Sequence, residues 1–242
     1  MVSFICCKNN DNEFNNLLLP SLEILDGKID YNLFVITDGK SAASAYNLCL
    51  QDNWDKIGET VIFLHQDIAF DSIKFVERIE SDLTENPYQI LGVAGMNQTG
   101  GTLSNLRYKD NGNFLTRTQI QEKTEVLTVD ECFFATSKKI LSKIKFDEKI
   151  CYHWHLYAVD LCYASKDFGV KSFVMPYIIY HKFNGENGLR TDFHFLKTFY
   201  KLARKYKSSY HQISTPCYRS ITSNPSLFLK VLRTQIKNLI KR

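Results

Sequence analysis

Titratable residues stand at the ends of several short apolar runs of this sequence. Asp38 follows the second run, His65-Gln66-Asp67 follows the third, and His181 follows a late one. A carboxylate and an imidazole from distant segments can together hold a divalent cation such as Mn²⁺ or Mg²⁺. Such a cation would bridge the phosphates of a nucleotide and stabilise a departing diphosphate. The alternative is that Asp67 caps the next helix and that His181 is a hydrogen-bonded histidine at a strand end.

A second group of potential metal ligands alternates along residues 151–155. Cys151, His153 and His155 would point to the same side of an extended segment, which is one way to begin a zinc site. Zinc needs a fourth ligand or a water, and the neighbouring sequence offers no further ligand. The aromatic neighbours Tyr152 and Trp154 favour a platform on which a sugar stacks, or simple packing.

Alternating strands and helices are predicted to position these residues. Apolar runs predict strands at residues 2–7, 32–37, 61–64 and 89–94, and helical spacing predicts helices at 14–25, 41–50 and 71–83. This alternation with short connections is typical of a mainly parallel sheet covered by helices. Because such sheets bind ligands at the carboxyl ends of their strands, the polar residues should meet at one edge.

The regular alternation ends after the fourth strand. Residues 95–125 are polar and rich in Gly, Asn and Thr, which predicts a long loop of functional importance or without order. An apolar stretch at 129–136 and a short helix near 137–144 follow. A helix at 156–168 should end at Gly169, and short strands at 171–174 and 177–180 flank Pro176.

Composition indicates an ordinary globular protein. The chain has 242 residues with 44% hydrophobic and 23% charged residues, enough for one large domain with an appendage. The sequence has no apolar run long enough to span a bilayer, and its first residues do not resemble a signal peptide. Its seven cysteines contain no C-x-x-C pair, which suits a reducing compartment. We therefore expect a cytoplasmic protein.

The last fifty residues differ in charge from the rest. Residues 193–242 contain eleven Lys or Arg and no Asp or Glu, and helices are predicted at 192–207 and 225–241. The last helix has apolar residues at helical spacing and basic residues between them, as in helices that lie on anionic membranes. Alternatively, its apolar side packs on the rest of the protein. No nucleic-acid-binding motif is present. We divide the chain into a domain at 1–190 and a basic helical tail at 191–242.

The ordered set of motifs resembles the GT-A glycosyltransferases, in a family 2-like subgroup that has H-Q-D in place of the D-x-D motif. The resemblance spans roughly residues 1–185 and rests on segments 2–6, 40–47, 63–67, 92–95, 129–136 and 154–162, followed by Gly169 and His181. It implies a GT-A fold, which is an α/β architecture with a mainly parallel sheet. It also implies a nucleotide-sugar donor, a divalent metal, and a glycan or lipid-linked acceptor.

The resemblance also implies roles for individual residues. Asp67 would bind the metal or the donor diphosphate, and His181 would complete the metal coordination. The donor-binding residues implied are Asp38, Lys40, His65, Gln66 and Asp67. Asp130 and Glu131 would face the sugar or the acceptor.

Two departures from the family pattern affect the expected chemistry. His65 replaces the first acid of D-x-D, which allows a mechanism that depends less on metal. The acceptor helix reads Tyr157-Ala158-Val159-Asp160-Leu161 where the family has E-D-x-D-L, so Asp160 alone remains. Transfer with inversion needs a base within reach of the acceptor hydroxyl. The candidates are Asp160, His155, Asp130 and Glu131.

The expected function is sugar transfer from a nucleotide-diphosphate sugar to a hydroxyl group. The resemblance implies inversion at the anomeric carbon and a role in surface glycan synthesis, in lipopolysaccharide or capsule. The basic tail would hold the enzyme peripherally on the inner face of the membrane. The competing hypothesis is a noncatalytic nucleotide- or glycan-binding module, which the loss of the acidic pair favours.

Overall fold

The computed structural model describes residues 1–116, 118–182 and 192–240, with side chains as far as Lys237. In chain order the strands are β1 (Val2–Cys7), β2 (Tyr31–Ile36), β3 (Thr60–His65), β4 (Ile68–Ala69), β5 (Gln89–Gly92), β6 (Ala94–Met96), β7 (Thr102–Ser104), β8 (Leu106–Tyr108), β9 (Thr124–Val126), β10 (Thr128–Val129), β11 (Phe133–Ser137), β12 (Lys171–Val174), β13 (Ile179–His181), β14 (Gln212–Ser214) and β15 (Arg219–Ile221).

The helices include several short ones. They are α1 (Asp11–Glu13), α2 (Leu19–Glu23), α3 (Ala42–Asp52), α4 (Lys74–Glu85), α5 (Lys138–Leu141), α6 (Tyr157–Ser165), α7 (Phe193–Lys205) and α8 (Pro225–Ile240). A π-helical segment at Phe14–Leu18 joins α1 to α2, and 3₁₀ turns lie at Trp54–Lys56 and Lys166–Phe168. Gly169, with φ of +75°, ends the last of these turns, as predicted.

A seven-stranded sheet in the order β2-β1-β3-β11-β5-β12-β9 forms the centre of the molecule. Five of its strands run in one direction, whereas β11 and β9 run in the other. The predicted α/β fold with a mainly parallel sheet is therefore confirmed. The reversal of β11 was not predicted, because a strand buried on both faces reads as the same apolar run in either direction.

Two hydrophobic cores cover the two faces of this sheet. Successive residues of a strand point to opposite faces, so neighbours contribute to different cores. Phe63 and Phe134 belong to the core under α3 and α6, with their rings stacked at 4.9 Å. Leu64 and Phe133 belong to the core under α4. Burial on both sides explains why these strands lack the alternation of a half-exposed strand.

The segment predicted as a long loop at 95–125 contains regular structure instead. It carries most of β6, all of β7 and β8, and the start of β9. Asn105 fastens the segment internally, because its side chain donates to the Ile120 carbonyl at 2.8 Å and accepts from the Ile120 amide at 2.9 Å. Strands of three residues are too short for a recognisable hydrophobic period, which is why polarity alone suggested a loop.

The first tail helix packs directly on the family-like part of the chain. Phe195 and Phe199 of α7 share a buried core with Leu156, Val159 and Tyr163, which begin and line α6. The predicted division between residues 190 and 191 falls outside the described residues, as does the predicted end of the last helix at Lys241. On either side of that division, α6 and α7 stabilise each other through one core.

None of the described helices combines the length and the apolar character that a membrane-spanning segment requires.

Candidate active site

A cavity of about 390 Å³ lies at the carboxyl ends of β1, β2 and β3. It brings together most of the predicted site residues, which come from distant parts of the chain: His65, Gln66, Asp67, Asp130, Glu131, His155 and His181. A second cavity of about 370 Å³ between α3 and α5 is lined by no acidic residue and no histidine. The titratable chemistry therefore concentrates at the edge of the sheet where ligands of α/β proteins bind.

A small three-stranded sheet places His181 beside Asp67. The strands of this sheet lie in the order β4-β13-β8. His181 in β13 pairs with Ile68 in β4, and Ile68 directly follows Asp67 in the chain. The Lys182 amide donates to the Asp67 carbonyl at 2.9 Å and extends this pairing. The resulting distance between His181 Nε2 and Asp67 Oδ1 is 3.4 Å.

His65 completes a cluster of three possible metal ligands. Its Nδ1 lies 3.9 Å from Asp67 Oδ1, and one ligand atom from each of His65, Asp67 and His181 lies within 4.8 Å of the other two. Two imidazoles and one carboxylate suit a first-row transition metal such as Mn²⁺ better than Mg²⁺, which prefers oxygen ligands. These three residues therefore fit the divalent cation that the resemblance implies.

The three groups shift one another's proton affinities. Burial alone would raise the pKa of Asp67, but the hydrogen bond and the charge of His181 outweigh burial and lower that pKa. Burial would lower the pKa of His181, and Asp67 reverses that effect and raises it. Burial, helped by His181, lowers the pKa of His65. An ionised Asp67 beside a neutral His65 is the state that a metal ion requires.

Tyr157 orients the His65 ring. Its hydroxyl lies 3.1 Å from His65 Nε2 and 3.5 Å from the Glu131 carbonyl oxygen. If the tyrosine donates to that carbonyl, His65 Nε2 carries the hydrogen and Nδ1 keeps its lone pair on the Asp67 side. Tyr157 thus positions one of the potential metal ligands, a role that its place in the acceptor-helix motif did not suggest.

Gln66 uses its side chain to hold the loop after β1. Its Oε1 accepts from the Asn9 amide at 2.8 Å and from the Asn10 amide at 3.0 Å. That loop brings Lys8 to the cavity wall. The sequence interpretation missed Lys8, although it follows the first apolar run as Asp38 follows the second, so the strand-end rule could have found it.

Asp38 and Lys40 lie on the loop between β2 and α3. Both are exposed, and the cavity is lined instead by their neighbours Thr37 and Gly39. Trp154 reaches this loop from the other side: a Cβ built on Gly39 would lie 3.4 Å from its ring. With 39% of its surface exposed, Trp154 offers a flat apolar face at the cavity.

Asp130 and Glu131 lie on the opposite wall, between β10 and β11. Asp130 Oδ1 accepts from the Cys132 amide at 3.0 Å. Burial and the charge of Asp130 raise the pKa of Glu131 well above its usual range, although the amides of Leu156 and Tyr157 act in the opposite direction. Glu131 therefore retains its proton more strongly than an ordinary glutamate.

Asp160 is not brought to the cavity. It is buried on the other side of α6, where Lys205 Nζ lies 2.7 Å from Oδ1 and the Tyr206 hydroxyl donates to Oδ1 at 2.7 Å. Burial raises its pKa, and Lys205 partly offsets that effect. These contacts give Asp160 a structural role between α6 and α7.

The proposed zinc cluster at residues 151–155 does not form within the described residues. Cys151 is fully buried, and His153 stacks on His194 with ring centroids 3.9 Å apart. Among the described residues, the potential metal site is the one formed by His65, Asp67 and His181.

Comparison with solved structures places the fold among glycosyltransferases. GalNAc-T7, whose crystal contained UDP, GalNAc and Mn²⁺, superposes with a TM-score of 0.57 at 11% identity, over 86% of this chain and 51% of that one. S. aureus TarS gives a TM-score of 0.51 at 14% identity, over 86% of this chain and 39% of TarS. The structure of TarS residues 1–349 gives a TM-score of 0.52 at 11% identity, over 98% of this chain and 72% of that one. This chain spans about half the length of the GalNAc-T7 chain and a smaller share of the full TarS chain. Sequence identities of 11–14% show a shared fold and nothing more specific.

Sequence comparison identifies the family directly. A search of curated protein sequences found no match. The family model described as "Glycosyltransferase like family" matches residues 3–184 of the 242, which include every strand from β2 to β13 and all of β1 except Val2. With this match and the GT-A fold of its structural neighbours, the chain belongs to the Glycosyltransferase like family and is a glycosyltransferase.

Proposed function

We propose that this enzyme transfers a sugar from a nucleoside-diphosphate sugar to a hydroxyl group, with a divalent cation at His65, Asp67 and His181. The observation that carries the proposal is the convergence of these three side chains in the cavity at the strand ends. The presence of UDP and Mn²⁺ in the GalNAc-T7 structure supports the same chemistry. Of Mn²⁺ and Mg²⁺, Mn²⁺ suits the two imidazole ligands better.

The donor half of the cavity would hold the diphosphate. A bound cation would neutralise the charge that develops on the leaving diphosphate. Asp67, His181 and His65 would hold that cation. Lys8 adds a positive charge at the end of β1, and Trp154 presents a face on which a sugar ring can stack.

The acceptor half would supply the base. In an inverting transfer, the acceptor oxygen attacks the anomeric carbon while a neighbouring group takes its proton. Of the four candidate bases, Asp130, Glu131 and His155 line the cavity, whereas Asp160 does not. We keep inversion and a role in surface glycan synthesis as parts of the proposal.

A noncatalytic binding module is the competing function, because Ala158 stands where the family has an acid. The two functions differ in one observable: a catalyst releases nucleoside diphosphate from its donor, slowly to water and faster to an acceptor. A module binds the donor and releases nothing.

The decisive experiment is a panel of nucleotide sugars tested by thermal shift with and without Mn²⁺, followed by donor turnover. A donor at 100 times its Kd should stabilise the fold by about 2.7 kcal/mol. Asp67→Asn should abolish both the Mn²⁺-dependent shift and turnover while the fold persists, since it removes a central ligand. Asp71→Asn, in the loop after β4 and outside the cavity, is the matched control. Normal Mn²⁺-dependent turnover in Asp67→Asn would contradict the assignment.

We also propose that α8 docks the enzyme on an anionic membrane surface, where a lipid-linked acceptor would be within reach. Leu227 and Val231 turn inward to the core shared with α7. Among the side chains of the helix that the structure describes, the large apolar ones left exposed are Phe228, Leu229, Leu232 and Ile236. Exposed Lys230, Arg233 and Lys237 lie beside them, and this combination supports binding to an anionic leaflet.

A further inference from the structure

The acceptor side of the cavity lacks the carboxylate that the family places at the start of the acceptor helix. Ala158 occupies that position and is fully buried, so it offers no proton acceptor. An enzyme that has lost this acid and still transfers sugar must take the acceptor's proton with another group at the same wall. The groups available at this wall are Asp130, Glu131 and His155.

His155 has an acidic partner from beyond the family-like segment. Its Nε2 lies 3.4 Å from Oδ1 of Asp192, the residue that precedes α7. Asp192 is itself fixed, because the same oxygen accepts from the Phe195 amide at 2.7 Å as the N-cap of α7. The carboxylate is thus held at one nitrogen of a ring that lines the cavity.

The His155 ring is held in place by its surroundings as well. The Phe195 ring packs against it edge-on at 5.9 Å, and the His153 ring lies 5.6 Å away. The next residue, Leu156, has φ of +67°, the one positive φ outside glycine in the described residues. A left-handed leucine is strained, and such strain is kept where surrounding contacts fix a functional conformation.

The other acids at this wall are less suited to take a proton. Burial raises the pKa of Glu131 well above its usual range, so this carboxyl holds its proton more tightly than an ordinary glutamate. Asp130 already accepts the Cys132 amide at 3.0 Å. Burial lowers the pKa of His155 to about 4, so the ring is neutral at pH 7 and keeps a lone pair, and Asp192 opposes the loss of basicity that burial causes.

We infer that His155 is the base of the proposed transfer and that Asp192, supplied by the tail, is its positioning residue. A carboxylate at Nε2 holds the ring and stabilises the imidazolium that forms when Nδ1 takes a proton. The tail is then part of the active site in addition to its packing role. This inference rests on the sugar transfer proposed above.

The step balances without any further reactant. The acceptor oxygen forms a bond to the anomeric carbon, and the bond from that carbon to the diphosphate oxygen breaks. Its electron pair leaves with the nucleoside diphosphate. The acceptor's hydroxyl proton passes to His155 Nδ1, and the imidazolium, paired with the Asp192 carboxylate, later releases it to water.

The test is Asp192→Asn, which keeps the helix cap and removes the charge, since asparagine caps as well as aspartate. We expect kcat for transfer to fall about tenfold or more while KM for the donor stays within about twofold. His155→Gln should lower kcat by about 100-fold or more. The double variant should be no slower than His155→Gln, because the carboxylate acts only through the ring.

Two further variants separate positioning from packing. Asp192→Ser is a second variant that keeps a capping side chain at the start of α7 but removes the charge, so it should show the same loss of kcat. Asp147→Asn removes a carboxylate that also binds α7, through Lys205 at 2.9 Å, but does not contact His155, so it should transfer at the parental rate. Circular dichroism and Mn²⁺-dependent binding of nucleoside diphosphates verify the fold and the donor site of each variant.

The outcomes distinguish this inference from the function on which it rests. Full transfer by Asp192→Asn, or losses that add in the double variant, would overturn the inference while leaving glycosyl transfer intact. An equal loss of kcat in Asp147→Asn would also overturn it, by showing that any loosening of α7 slows the enzyme. A parent chain that binds no nucleoside diphosphate with Mn²⁺ would overturn the proposed function, and the inference with it.

Discussion

The residues of the H-Q-D motif divide their work in a way that the motif alone does not reveal. His65 and Asp67 face the cavity as possible metal ligands, whereas the Gln66 amide binds the loop after β1. β3 ends at His65, and Gln66 and Asp67 form the turn that follows it. A substitution at Gln66 should therefore act through the position of that loop.

We predict that His181→Ala weakens Mn²⁺ binding roughly tenfold or more, since it removes one of three ligands and the partner that keeps Asp67 ionised. Unfolding in urea should shift far less, because β13 keeps its backbone pairing. His211→Ala, at an exposed histidine outside the cavity, is the control for both measurements. Equal Mn²⁺ titrations of parent and variant would show that His181 is purely structural.

Glu131 should make the stability of the fold depend on pH. Its raised pKa means that the folded state holds the proton more tightly than the unfolded state, so stability falls as pH rises above the usual glutamate range. Glu131→Gln removes this effect. As pH rises from about 5 to 8, the free energy of unfolding of Glu131→Gln should therefore increase relative to that of the parent. Urea titrations across this interval test the prediction, with exposed Glu23→Gln as control. A constant difference at every pH would refute it.

Sequence patterns could locate some of these residues and not others. Lys8, Asp38 and Asp67 all follow apolar runs, so the strand-end rule reaches them. Asp192 has no such signal: an aspartate before a helix indicates an N-cap, and its approach to His155 depends on how α7 packs against α6. Contacts of that kind arise from tertiary packing, which single-sequence periodicity does not encode.

At the level of elements, the shortest strands do the most to assemble the site. The three-stranded sheet β4-β13-β8 carries His181 to Asp67, yet none of its strands exceeds three residues. The long strands of the main sheet were predictable from continuous apolar runs. Of the short ones, β13 overlaps the strand predicted at 177–180, whereas β4 and β8 were not predicted, since so short a segment contains less than two periods of strand alternation.

The contact between α6 and α7 has an ionic centre whose loss should be costly. Lys205→Met leaves Asp160, only 4% exposed, without its cation, and we expect a loss of about 2 kcal/mol of unfolding free energy. This figure is below that for a fully buried pair because the Lys205 side chain is 28% exposed. Urea denaturation measures the effect.

A double-mutant cycle tests whether the two charges act together. Asp160→Asn combined with Lys205→Met should recover part of the loss, because no buried charge then lacks a partner. The exposed Lys207→Met should change stability little. Strict additivity of the two single changes would show that the pair is not coupled.

At the level of the whole molecule, α8 presents three faces. One packs on α7, one exposes apolar side chains, and one is basic. The sequence predicted a single apolar side opposite the basic one, because the helical period shows which residues share a side and not how much of it is covered. Packing divides the apolar residues between the core and the surface.

The exposed face makes membrane docking testable without truncation. Serine substitutions at Phe228, Leu232 and Ile236 should abolish cosedimentation with vesicles rich in anionic lipid and leave the fold intact, since these side chains are 42–50% exposed. Glutamine substitutions at Lys230, Arg233 and Lys237 should weaken binding by about 1 kcal/mol per charge. Serine substitutions at the buried Leu227 and Val231 should unfold the tail instead. Binding by the parent that ignores both salt and anionic lipid would contradict this prediction.

The reversed strand β11 also determines when the enzyme can be completed on the ribosome. Strands β3 and β5 emerge early, but the strand that joins them, Phe133–Ser137, emerges only after a long intervening segment. Until then both carry an unpaired edge beside an apolar face, which is the state most prone to aggregate. His181 and Asp192 are synthesised later still. The cavity at the strand ends therefore cannot form until after β11 has been made, and binding of those edges by chaperones should raise the yield of folded protein.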